Sequence, residues 1–145
     1  MIKPLAIVAT LLATPAFAND WITVDTDKSV ADAADALEAA VTEAGATVFA
    51  RVDHAQGAAS VDLILPDAQL LIFGNPALGT LAMQDDLRAG LALPLRVLVY
   101  DDEGQTRLTY MEVKEMFDDM RIDDDAEYVE KMENALEMLT QKAAS

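Results

Sequence analysis

The chain has 145 residues, no cysteine and a formal net charge of −16. The missing cysteines exclude thiol catalysis, cysteine-ligated zinc, iron–sulfur clusters and disulfides. The charge argues against nucleic acid and anionic lipid, which are bound through clustered Lys and Arg; it suits solubility, a cationic partner or divalent-ion buffering.

Lys3 gives a short basic start, and an apolar run LAIVATLLAT (5–14) follows. Pro15 breaks that run ahead of Ala16-Phe17-Ala18, a small-x-small cleavage site. Together these read as a secretory signal peptide over residues 1–18. The run is too short for a membrane-spanning helix, which needs about 20 apolar residues. A lipoprotein anchor lacks its cysteine. The expected location is therefore bacterial periplasm or secretion after cleavage near Ala18. The remaining residues, 19–145, make one domain large enough to bury a core without disulfide staples.

Trp21 to Val24 is β-rich and reads as the first strand. Ser29 then suits a helix N-cap, and Val30, Ala33, Ala34, Leu37, Ala40 and Val41 recur at helical spacing until Gly45 stops it. Thr47–Asp53 alternates as a half-buried strand, with Val48, Ala50 and Val52 on one face and Phe49, Arg51 and Asp53 on the other. His54 to Ala59 is a loop or short helical turn, and Leu63-Ile64-Leu65 a short extended piece. Gln69 to Phe73 reads as a buried strand that runs straight into Gly74-Asn75-Pro76. Three turn formers in a row make sense as a strand-to-helix junction. Gly74 allows the turn, Asn75 caps the helix, and Pro76 sits at the first helical position, where a missing N–H costs nothing. Gly79-Thr80 restarts the pattern, with Leu81, Met83 and Leu87 on short helices.

Leu95–Tyr100 is a further strand. Asp101-Asp102-Glu103-Gly104 turns the chain, and Thr106–Tyr110 returns as its hairpin partner. From about residue 112 the period is again helical: Val113, Met116, Phe117 and Met120, then a second helix from about Asp125. One sheet of about five short strands packed against helices, with two C-terminal helices, is an α+β domain.

Asp53-His54, LPDAQLLIFGNPALGT (65–80), Met83, LPLRVLVYDDEG (93–104) and Thr109-Tyr110 resemble, in this order, the bacterial family known as domain of unknown function 302. The resemblance covers residues 47 to 110 and not the acidic tail. It implies a compact α+β domain, often secreted and able to form a homodimer. Its motifs fall on His54, Phe73, Gly74, Asn75, Pro76, Gly79 and Thr80, for which it implies no assigned chemistry.

Read for chemistry, the chain offers few constellations. His54 is the lone histidine; it suits a general acid or base, a metal or haem ligand, or a loop-holding hydrogen bond, and the last is preferred. Gly74 to Thr80 could offer backbone N–H groups to an anion at a helix start, yet no nucleotide-binding fingerprint is present. Met83, Met111, Met116, Met120, Met132 and Met138 suggest copper(I) or a groove for a hydrophobic ligand, against ordinary core packing. Asp118-Asp119 and Asp123 to Asp125 lack the glycine of a calcium loop and read as a solvated linker between helices. No serine sits in a nucleophile motif.

The sequence thus leads to a non-catalytic binding or accessory protein for a small ligand, with no metal site and an unknown cofactor. The expected cleft lies between the His54 turn and the junction, using His54, Phe73, Gly74, Asn75, Gly79 and Thr80. Phe73 forms a wall, and Asn75 with the Gly79-Thr80 backbone supplies donors. One alternative is an enzyme in which Asp53 or a distant carboxylate orients His54. Another is an interaction module whose acidic C-terminal helices meet a basic protein partner.

Overall fold

The computed structural model describes residues 21–145, and the signal-peptide reading of residues 1–18 lies outside them. The elements run β1 (Trp21–Thr26), α1 (Val30–Glu43), β2 (Thr47–Asp53), α2 (His54–Ala59), β3 (Ala68–Gly74), α3 (Pro76–Asp85), α4 (Ala89–Ala92), β4 (Leu95–Asp102), β5 (Gln105–Met111), α5 (Val113–Met116) and α6 (Glu127–Ala144). The strands form one five-stranded antiparallel sheet of order β1-β5-β4-β3-β2. This is the α+β architecture expected from the sequence, although α5 is only a single turn.

Alternation along the strands decides which face is covered. Leu71 and Phe73 of β3, Val97 and Val99 of β4, and Leu108 and Tyr110 of β5 are buried on one side. On that side α1 lies across β2, β3 and β4, while α6 packs against α1, β1 and β5. Leu37 and Val41 of α1 meet Val129, Leu136 and Leu139 of α6 in the same buried cluster. The opposite face carries half-buried Leu70, Ile72, Leu98 and Tyr100.

Caps set the element ends. The Ser29 hydroxyl accepts from the Asp32 N–H at 3.1 Å and donates to the Asp32 carboxylate at 2.7 Å, holding the first turn of α1. At the other end Ala46 N donates to Val41 O and Gly45 N to Thr42 O, with Gly45 at φ 76°. This is a Schellman stop, and it requires the left-handed conformation that glycine adopts freely. The β4–β5 turn places Glu103 and Gly104 at positive φ, and Gly104 N donates to the Asp101 carboxylate at 2.6 Å. Thr26 Oγ1 donates to Ala144 O, and Lys28 Nζ to Ala143 O and Ser145 O, so the end of β1 and the loop after it cap the last turn of α6.

Two local expectations need correction. Along β2 the apolar residues do not share a covered face: Arg51 points toward the helices and pairs with Asp35 and Glu38 of α1. The cause is a bulge, since Val48 opposes Phe73 but Ala50 opposes Ile72, leaving Phe49 as the extra residue. Leu63-Ile64-Leu65, which follows Asp62 at φ 59°, lies outside every helix and strand and is exposed, Ile64 at 96%. Finally, α3 runs unbroken through Gly79, and Leu87 lies after its end.

Candidate functional site

The junction after β3 forms as its residue types dictate. Asn75 is extended (φ −118°), and its Oδ1 accepts from Ala77 N at 2.9 Å, with Pro76 opening α3. Leu78 N and Gly79 N both donate to Asn75 O at 3.0 Å. Pro76 has no N–H, so the first turn of α3 has none left for a ligand. This corrects the expectation that the Gly79 backbone donates to a ligand, and the helix start is not an anion site. Asn75 and Thr80 are both exposed, and their side chains carry the polar groups of this junction.

Behind this junction lies a pocket of about 420 Å³, within the range of small-molecule sites. Its sheet side is made by Phe73 and Gly74 of β3 with Phe49 of β2. Leu78, Gly79, Thr80 and Met83 line it from α3. Leu93, Pro94 and Leu95 close the β4 end, and Met132, Ala135, Met138 and Leu139 of α6 face them. Among the described residues no charged side chain lines it. Three glycines line it, Gly74, Gly79 and Gly90. At Gly79, in the interior of α3, an added Cβ would meet only Leu93 Cδ1, at 3.6 Å. Neither Gly79 nor Gly74 has a positive φ, so conformation does not demand them. A glycine within a helix costs roughly 1 kcal/mol relative to alanine, and the open volume is what that glycine leaves.

Phe73, Gly74, Asn75, Gly79 and Thr80 therefore come together in one pocket, and His54 does not join them. The pairing register gives the reason: Thr47 opposes Gly74, whereas Asp53 opposes Gln69. His54 thus starts α2 at the far end of β2, on the order of 20 Å away at about 3.3 Å per residue. Its neighbour Asp53 is engaged as the α2 cap, accepting from Gln56 N at 2.8 Å. The expected cleft between the His54 turn and the junction is replaced by one between the junction and α6. Phe49 and Pro94 have no place in the sequence expectation as ligand contacts, whereas Met83, Met132 and Met138 belong to the methionines for which a hydrophobic-ligand groove is the alternative to core packing. The signal available was Gly79, a helix-interior glycine without a turn to make.

The two helical walls are tied together one turn from the pocket. Asp86, just beyond α3, is 3% exposed. Its carboxylate accepts from Arg88 Nη2 at 2.7 Å, from Arg121 N at 3.1 Å and from Arg88 N at 3.0 Å. The Arg88 guanidinium, followed by the two backbone N–H groups, holds its carboxyl well below the usual carboxylate range. Beside it, Tyr128 Oη of α6 donates to Asp85 Oδ2 at 2.6 Å. Burial first, and then this carboxylate, push the Tyr128 hydroxyl up to about 12. Asp123 to Asp125 lie in the segment between α5 and α6, where Asp125 N donates to Asp123 Oδ1.

Known proteins similar to this chain fall into two groups. The chain is 44% identical over 89 residues to the fluoride-specific ion channel FluC 1 of Brucella suis, a match covering 61% of this chain and 35% of that protein. FluC 2 of Brucella melitensis matches at the same identity, with 33% of its length covered. The chain therefore spans about a third of the curated relatives it matches. Among the described residues no helix is long and apolar enough to cross a membrane. The crystal structure of an uncharacterized conserved DUF302 protein from Bacillus stearothermophilus superimposes with a TM-score of 0.79, covering 87% of this chain and 99% of that one at 19% identity. The same fold is shared. The family model for domain of unknown function DUF302 matches residues 22–139, and the chain belongs to that family.

Proposed function

We propose that this protein binds a small, neutral, largely apolar molecule in the pocket between α3, α6 and the β3–β4 end of the sheet, without chemically changing it. The carrying observation is the lining. Aliphatic, aromatic and thioether groups surround about 420 Å³, and among the described residues no charge or free helix-start N–H faces it. Excluding water from such a wall is favourable by roughly 25 cal/mol per Å² of apolar surface covered. A charged ligand would lose its hydration there with no partner to replace it. The Asn75 amide and the Thr80 hydroxyl at the rim suit one neutral polar substituent.

Thermal-shift titration with matched probes tests this. Toluene and cyclohexanol raise the melting temperature in a saturable way, and benzoate and cyclohexylammonium do not. Equal shifts from charged and neutral probes, or none from any, would overturn the proposal. The same reading includes export through residues 1–18 and action as a secreted or periplasmic homodimer. The half-buried aliphatic groups of the open sheet face supply a surface for a second copy. Sizing with light scattering tests the pairing, and fractionation of the expressing cells tests the export.

A further inference from the structure

The pocket reading leaves open which apolar molecules fit, and Phe49 bears on this. Phe49 is the additional residue of the β2 bulge, between the Val48–Phe73 and Ala50–Ile72 pairings. A bulge sacrifices regular pairing and re-aims a side chain. Here the ring borders the pocket while remaining 54% exposed. It reaches across Gly74, where an added Cβ would stand 3.6 Å from Phe49 Cε2 and 3.6 Å from Pro94 Cβ. Single exposed apolar side chains are ordinary; this one is delivered to an apolar pocket by a backbone irregularity and bordered by a residue without a side chain.

The walls are chemically uneven. Phe49 and Phe73 stand on the sheet side, with the thioethers of Met83, Met132 and Met138 on the helices. Rings stack or meet edge to face with other rings, and thioether sulfur favours aromatic contact. A flat ring system can therefore meet phenyl groups on one side and sulfur on the other, and a puckered aliphatic gains only area from either. We infer that the pocket selects planar aromatic molecules bearing one neutral polar substituent, with Phe49 as the specificity-determining residue. This rests on the pocket being a ligand site.

The test uses two probes with one skeleton and one hydroxyl, 2-naphthol and decahydro-2-naphthol, titrated calorimetrically into the full mature chain. The natural protein binds the aromatic probe several-fold more tightly, up to about ten-fold. Phe49→Leu removes most of that preference while leaving the saturated probe within about two-fold, and Phe49→Tyr keeps it. As Phe49 is mostly exposed, neither change should affect folding, and an unaltered melting temperature verifies this. Equal binding of both probes, or equal weakening of both by Phe49→Leu, overturns the aromatic selectivity and leaves the pocket reading standing. Absence of binding by either probe to the natural protein overturns both.

Discussion

Gly79→Leu separates pocket from fold most cleanly. Gly79 lies inside α3 at ordinary helical φ, and a Cβ there makes only a normal contact with Leu93 at 3.6 Å. Leucine is the better helix former by nearly 1 kcal/mol, so the unliganded variant should be no less stable than the natural protein. The rest of the side chain enters the pocket that Gly79 lines. A ligand at 100 times its dissociation constant stabilises a protein by about 2.7 kcal/mol. For a domain of this size roughly 4 °C per kcal/mol applies, giving a rise of about 10 °C. Differential scanning calorimetry with and without 2-naphthol reads both quantities. The variant should keep its unliganded melting temperature and lose most of the rise. A full rise in a well-folded Gly79→Leu protein would refute the assignment of the binding volume to this pocket.

Other expected outcomes follow from the caps and the clamp. Ser29→Ala should cost about 1 kcal/mol in urea unfolding, because the Asp32 N–H loses its acceptor at the start of α1. Gly45→Ala should cost on the order of 1 kcal/mol by the same assay, because alanine is strained at φ 76°. Tyr128→Phe should lose about 1.5 kcal/mol, the low end for a hydrogen bond to a charged group, since Asp85 is exposed and can be hydrated. Asp86→Asn should destabilise at neutral pH, with a gap that narrows in acid. The folded pKa of Asp86 is lowered, so its contribution is complete above the unfolded value near 3.9 and is lost as pH falls toward the folded value. Melting temperatures of both proteins from pH 7 to pH 2 check this; a constant gap would contradict it.

What could be read from the sequence was local chemistry. The Asn75-Pro76 cap, the Gly45 stop and the limits Thr47–Asp53 of β2 depend on a few neighbouring residues, and the structure has them where the residue types put them. The rest depends on pairing across the sheet. His54 and the junction look like neighbours because both follow strands, yet antiparallel register sends them to opposite ends of β2. Phe49 looked like one residue of a regular alternation until the bulge shifted its parity. Met132 is both part of the α6 core stripe and a pocket wall; periodicity shows the stripe but not what lies beyond it.

The most direct test of the pocket is methyl NMR of protein carrying ¹³C-methyl methionine, titrated with 2-naphthol. Met83, Met132 and Met138 line the pocket, and Met111, Met116 and Met120 do not, so the protein carries its own controls. The account predicts saturable shifts at the first three resonances with the last three largely unmoved. Saturation without shifts at the pocket methionines, or shifts spread evenly over all six, would contradict it.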